Sequence, residues 1–218
     1  MPTALVVALS YLVGSVPTGD IAARIRGRSL RAEGSGNPGF TNAWRILGPR
    51  AAVPVLIADI AKGVVAVLVV APLLGGGTPA LGPTGIRLAA GLSAVAGHVW
   101  PVFARFRGGK GVATACGVFL ALSPLATLAA AAVWCALVAA TRIVSVGSIA
   151  ASLVLPWGVL LEARRAGTAQ ASALVLVSAA VAALIVIRHR SNVGRLVAGT
   201  ESRFGARPRR GRERGGAQ

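Results

Sequence analysis

The 218-residue chain is 55% hydrophobic and only 13% charged, with a mean hydropathy of +0.72, which excludes an ordinary soluble domain and indicates a polytopic membrane protein. Its formal net charge of +17 would suggest a nucleic-acid partner in a soluble protein. Here the arginines crowd into short inter-helix loops and the C-terminal tail, as the positive-inside rule expects, and few aromatics accompany them, so nucleic acid is set aside.

Apolar runs divide the chain in order. Thr3–Ala23 is a first span; no basic n-region precedes it, so it reads as a retained helix rather than a cleaved signal. Its end is interrupted by Gly14-Ser15-Val16-Pro17-Thr18-Gly19, tolerable in a membrane only where neighbours or a cavity satisfy the freed backbone. The polar loop Arg24–Arg50 follows. Ala51–Leu74 is a second span, an uncharged loop runs to Gly85, and Ile86–Phe103 is a third. The basic loop Arg105–Gly111 leads into Val112–Ala140, which reads in two ways. One helix of that length is long for a ~30 Å core at ~1.5 Å per residue. Two short helices meeting at Ser123-Pro124 form a hairpin, because proline opposes helix continuation. Ile143–Leu161 and Gln170–Ile187 are the last spans, and Cys116 and Cys135, without C-x-x-C spacing, read as small buried hydrophobes.

Charge favours the hairpin. With Arg24–Arg50 cytoplasmic, it places the Lys110 loop, Arg142 and the basic tail on the same side, leaving Arg164 and Arg165 as the exception. The predicted fold is an all-α polytopic membrane protein of about seven transmembrane helices, N-terminus outside and C-terminus cytoplasmic. The Arg-rich segment 204–218 is expected to be a disordered, membrane-apposed cytoplasmic tail.

In that topology four polar patches meet at one membrane face: Ser35–Arg45, His98 with Arg105–Lys110, Arg142–Ser148 and His189–Asn192. They hold both histidines and one of the two lysines, and their convergence reads as a site for a small, strongly anionic substrate. Gly34, Gly36 and Gly39 leave backbone N–H groups unhindered, Ser35, Asn37, Thr41 and Asn42 add hydroxyls and amides, and Arg45 adds a fixed cation. Gly108-Gly109-Lys110-Gly111, turning into a helix, can hold phosphate through backbone N–H groups and an ammonium. Two literal motif matches fail: Gly34–Gly39 fits G-x-G-x-x-G but follows a membrane helix rather than a strand, and Lys110 lacks the Gly at 104 and the following Ser or Thr of a P-loop. Asp59 and Lys62, three apart inside a span, must pair with each other or line the site's inner mouth. His98 either bonds a loop carbonyl or contacts substrate. An anion transporter is opposed by polar motifs on one face only, and a tether would leave both Gly-rich loops unexplained.

Taken in order, Gly14-Ser15-Val16-Pro17 with Gly34–Gly39, Thr41-Asn42 and Arg45, then Gly97-His98 with Pro101 and Gly108–Thr114, then Val144-Ser145 with Ser148, then His189–Asn192 with Gly199-Thr200-Glu201, resemble the motif regions of the PlsY family. These are bacterial membrane acyl-phosphate:glycerol-3-phosphate acyltransferases. The resemblance runs from about residue 5 to 203, with Ser191 a minor departure where the family often has an acidic residue. It implies that residues 1–203 form a single integral membrane acyltransferase domain, multi-pass in the bacterial cell membrane, with a cytoplasmic-side site and no metal, cofactor or acyl-carrier thioester. It implies acyl transfer from acyl phosphate to the 1-hydroxyl of glycerol 3-phosphate, giving lysophosphatidic acid and phosphate, the first acylation of phospholipid synthesis. Membrane lipid and the soluble enzyme that makes acyl phosphate are further candidate partners. By motif position it assigns Ser35, Arg45, Lys110, Ser145, His189 and Asn192 to binding or catalysis. We take Ser35, Lys110, Ser145 and His189 as candidate catalytic residues. Gly34, Gly36, Asn37, Gly39, Thr41, Asn42, Arg45, His98, Gly108, Gly109, Arg142 and Asn192 are the candidate substrate-binding ones.

The residue types suit that chemistry. Acyl phosphate is already activated, so the site need only gather two mutually repelling anions and align a hydroxyl with a carbonyl carbon. No Ser-His-Asp order is supported, and H-x-x-x-x-D is absent, since Phe103 and Gly194 stand five after His98 and His189. Two bases remain open: a substrate phosphate, or His189.

Overall fold

The computed structural model describes residues 2–75, 81–167 and 170–205. The tail beyond Gly205 and the centre of the loop after Gly75 lie outside the described residues. Those described are all helical or irregular, with no strand among them.

The first span breaks where its sequence says it must. Helix α1 (Pro2–Ser15) stops before Val16-Pro17, and α2 (Thr18–Ile25) starts on the far side. The carbonyl freed at Val16 accepts a 2.6 Å hydrogen bond from Lys62 Nζ, and Lys62 is in turn 2.6 Å from Asp59 Oδ1, which also accepts from Thr18 Oγ1 at 2.6 Å. The two intramembrane charges thus pair with each other and with the broken helix, which is how buried ions become tolerable.

A short amphipathic helix, α3 (Phe40–Leu47), precedes the second span, which runs from α4 (Pro49–Val65) through a π-helical turn at Ala66–Val70 into α5 (Ala71–Gly75). Then come α6 (Gly82–Val99), α7 (Val112–Leu122), α8 (Pro124–Thr141), α9 (Val144–Arg165), α10 (Ala171–Arg188) and the short α11 (Arg190–Val197). Six of the described segments are long and apolar enough to cross a bilayer. The seventh, α7, is shorter, and the chain turns out of it at Ser123 with Pro124 opening α8, so 112–141 is two helices.

Small residues set the crossings, since association of helices in lipid relies on close van der Waals approach. At the α1–α6 crossing a Cβ on Gly97 would lie 2.1 Å from the Tyr11 carbonyl oxygen, and one on Gly14 would lie 2.1 Å from that of Ala94. The α4–α7 crossing repeats the device with Gly63 against Thr114 and Gly117 against Ile60. Behind these crossings Val67, Val95, Val99, Val118, Phe119, Val159 and Val181 form the main core. Gly97→Ala is expected to lower stability by about 1–3 kcal/mol through overpacking. Gly194→Ala, which meets nothing within 4 Å, should be near neutral. Thermal denaturation of both variants in detergent checks the pair.

Candidate active site

Four separated stretches converge on one cavity of about 520 Å³. Its first wall is the loop after α2. Leu30, buried with Ala23, Ala43 and Ala52, anchors that loop in a small core of its own. Asn42, on α3, then ties the loop down: Nδ2 donates to the carbonyls of Leu30 and Glu33 at 3.0 Å each, and Oδ1 accepts from the Ser35 N–H at 3.0 Å. Arg28 pairs with Glu33 and Arg31 with Asp20, at 2.6 Å for the latter, so these two outer cations are neutralised. Gly34 has φ +63 and a Cβ there would lie 2.2 Å from Asn42 Oδ1, so both backbone conformation and space demand glycine.

The second wall presents Lys110. The N–H groups of Gly108 and Gly109 donate to the carbonyls of Val99 and His98, and Arg188 Nη2 donates to the Gly108 and Gly109 carbonyls at 3.3 and 3.2 Å. Gly111, at φ +87, then turns the chain into α7. Lys110 Nζ emerges half-buried and donates to Asn192 Oδ1 at 2.5 Å. Burial pushes Lys110 down to about 8; Glu201 opposes the fall, while Arg195, Arg188 and Arg45 add to it.

The third and fourth walls come from α9 and from the junction of α10 with α11. Ser145 Oγ donates to Glu201 Oε1 at 2.8 Å, and Trp134 Nε1 donates to Ser148 Oγ at 3.2 Å. His189, only 2% exposed, has Nδ1 2.8 Å from the Ile185 carbonyl. That carbonyl can only accept, so Nδ1 carries the proton and Nε2 keeps a lone pair. Burial, followed by the Lys110 charge, pushes His189 down to about 4 although Ile185 and Glu201 oppose it, so the ring is neutral at pH 7.

Of the sequence-predicted residues, Gly34, Ser35, Asn37, Gly39, Thr41, Asn42, Arg45, His98, Lys110, Ser145, His189 and Asn192 all line this cavity. Gly36, Gly108, Gly109 and Arg142 are not brought to it. Gly36 closes a turn on Glu33, and the Gly108-Gly109 backbone is spent on His98, Val99 and Arg188. Arg142 occupies the left-handed turn at φ 59 between α8 and α9, its side chain is exposed, and its carbonyl accepts from the Phe204 N–H at 2.5 Å. The His98 ring lines the cavity with Nδ1 3.6 Å from Asp59 Oδ1, and its backbone carbonyl accepts from the Gly109 N–H. Glu201 and Arg195 also line the cavity, although neither is among the sequence-predicted site residues. The available signal for Glu201 was its place in the Gly199-Thr200-Glu201 motif.

Below the polar mouth the cavity continues between α4, α7, α8 and α9 over Leu56, Ile60, Cys116, Phe119, Ala130 and Leu155. Its α8 wall runs from Cys135 to Thr127, about 12 Å at the helical rise. Fold and cavity together define a polytopic membrane protein that joins a mouth lined by Arg45, Lys110 and Arg195 to an apolar channel. A family model described as glycerol-3-phosphate acyltransferase matches residues 4–199. The glycerol-3-phosphate acyltransferase of Desulforudis audaxviator is 47% identical, covering 93% of this chain and 96% of its own, and that of Geobacter sulfurreducens is 44% identical, covering 93% and 97%. The crystal structure of PlsY (YgiH), an integral membrane glycerol 3-phosphate acyltransferase, superposes in its glycerol 3-phosphate form with a TM-score of 0.81 at 36% identity, covering 94% of this chain and 96% of that one. Its lysophosphatidic acid form gives 0.78. The chain belongs to the glycerol-3-phosphate acyltransferase family.

Asn42→Ala should release the Ser35 loop and lower kcat/KM by about tenfold to a hundredfold, the scale of a misplaced reacting group. Amide hydrogen exchange over residues 30–37 should rise in the same variant.

Proposed function

We propose that the protein transfers an acyl group from acyl phosphate to the 1-hydroxyl of glycerol 3-phosphate at the cytoplasmic face of the bacterial cell membrane, with residues 1–203 as the acyltransferase domain. The observation that carries this reading is the union of a cation-lined mouth and an apolar channel in one cavity. An acyl phosphate is an amphiphile with its reactive carbonyl at the border of those two zones. Its chain takes the channel and its phosphate the cations Lys110 and Arg45, while the glycerol hydroxyls meet the acceptors Ser145 Oγ and His189 Nε2. Both relatives named for glycerol 3-phosphate and the PlsY form bound to it support that acceptor. The orientation with N-terminus outside rests on the basic loops, and a soluble acyl-phosphate-producing enzyme is the proposed donor partner.

In the proposed step the 1-hydroxyl oxygen attacks the acyl carbonyl carbon, the carbon–oxygen bond to phosphate breaks, and the hydroxyl proton passes to phosphate. His189 is the weaker candidate base, because an imidazole held near 4 takes up a proton less readily than a phosphate monoester with its second pKa of about 6. His189 and Ser145 then serve to align the hydroxyl. Lys110 works as a cation, so activity is retained below its pKa and lost as pH rises through about 8.

The test is purified protein in lipid, with labelled glycerol 3-phosphate and acyl phosphate, acyl-CoA or acyl-carrier protein in parallel. Lysophosphatidate should form from acyl phosphate alone, with kcat/KM falling above about pH 8. Lys110→Ala and Ser35→Ala should each lose about a hundredfold or more, as removal of a charge-stabilising group does. Product from acyl-CoA at equal rate would reject the donor assignment.

A further inference from the structure

Glu201 is an anion placed among groups whose task is to bind anions. Its Oε1 accepts from both Ser145 Oγ at 2.8 Å and Asn192 Nδ2 at 2.5 Å, and its Oε2 accepts from Arg195 Nε at 2.6 Å. With Nδ2 taken by Glu201, the Asn192 amide presents its oxygen to Lys110 Nζ. An amide turned the other way would aim an NH₂ at an ammonium, so the carboxylate selects the orientation. The Ser145 proton is likewise committed to Glu201, which leaves the lone pairs of that hydroxyl for the cavity. The segment carrying Glu201 is itself fixed: Phe204 stacks 5.0 Å from Trp44 and 6.3 Å from Phe40, and its N–H donates to the Arg142 carbonyl.

We propose that Glu201 is a positioning residue of the acyl-transfer site, orienting the Ser145 hydroxyl as an acceptor and the Asn192 amide as the seat of the Lys110 ammonium. The proposal rests on the acyl-transfer reading above. Its electrostatic consequence follows from the neighbours of Lys110: Arg45 on α3, Arg188 on α10, His189 at the junction, Arg195 on α11 and Glu201, with His98 and Asp59 elsewhere on the cavity wall. Burial and three cations disfavour charge on Lys110, and Glu201 is the anion that opposes them. Remove that anion and Lys110 must lose its proton at lower pH.

The experiment combines pH–rate profiles with NMR titration of ¹³Cε-lysine protein in lipid. The chain has two lysines, so Lys110→Met assigns both signals, and Lys62, paired with Asp59 inside the bundle, reports an intact fold by keeping its shift. In Glu201→Gln the Lys110 midpoint and the alkaline limb should move down together, and kcat/KM for glycerol 3-phosphate should fall about tenfold to a hundredfold, the range for bonds to charged groups. The double variant Arg195→Gln/Glu201→Gln should return the midpoint toward wild type, because it removes one charge of each sign. Glu201→Asp keeps the charge but not the reach, so its midpoint should stay while kcat/KM falls. Wild-type product with no change in either readout in Glu201→Gln overturns the proposal, as does a Glu201→Asp enzyme of wild-type kcat/KM. Absence of product from wild type overturns the acyl-transfer reading instead, and the lysine titration then still decides whether Glu201 governs Lys110.

Discussion

At the helix break before Pro17 the Val16 carbonyl has no water to turn to inside a bilayer, and it accepts from the Thr18 N–H and from Lys62, itself held by Asp59. Much else depends on that knot. It allows the first span to stop and restart, so α2 can lean away and carry the loop that follows. Gly19 on α2 lies against that loop so closely that a Cβ would sit 1.8 Å from the Pro38 carbonyl oxygen. The same carboxylate borders His98, and through the His98 carbonyl the knot reaches the Gly109 N–H and the Lys110 loop. A membrane constraint on backbone hydrogen bonding thereby ties together the two Gly-rich loops that wall the cavity.

The second constraint is electrostatic. Cations gathered around one cavity repel one another, and partial burial makes each harder to keep charged. The structure limits this in two ways. Two outer arginines are neutralised locally, Arg28 by Glu33 and Arg31 by Asp20, while Arg45, Lys110 and Arg195 face the cavity. Glu201 places one carboxylate between Arg195 and the Ser145–Asn192 pair, where it offsets the charge without reaching across the cavity.

The fold was largely legible because lipid imposes a simple code. Apolar length located the spans, Pro17 and Pro124 marked the breaks, and the paired spacing of Asp59 and Lys62 announced its own solution. The π-helical turn at Ala66–Val70 was not legible, since no glycine, proline or charge marks it in an unbroken apolar run. In the site, residue type, clustering and motif order pointed to twelve of the residues that line the cavity. They could not separate a glycine whose N–H faces the cavity from one whose N–H holds the loop's own shape. Gly108 and Gly109 belong to the second kind, because their N–H groups donate to the Val99 and His98 carbonyls while Arg188, eighty residues on, claims their own carbonyls. Arg142 is a related case: a cation beside a site motif attracts a binding role, yet the residue sits exposed in a left-handed turn outside the cavity lining.

The border between polar mouth and apolar channel bears on selectivity as well as on binding. An acyl phosphate is as open to water as to a glycerol hydroxyl, so in the proposed reaction the enzyme must favour one oxygen nucleophile over a smaller and more abundant one. Ser145 Oγ and His189 Nε2 both present lone pairs, and a water molecule could satisfy either. A hydroxyl tethered to a phosphate held by Lys110 or Arg45 can meet the same acceptors with its position already restricted, which water cannot match. Hydrophobic groups around the channel, Phe119 and Leu155 among them, keep the acyl side of the carbonyl dry. Discrimination then depends on the distance from cation to acceptor rather than on either group alone. That distance is governed by the Lys110–Asn192 and Asn192–Glu201 bonds, which span from one wall of the cavity to another.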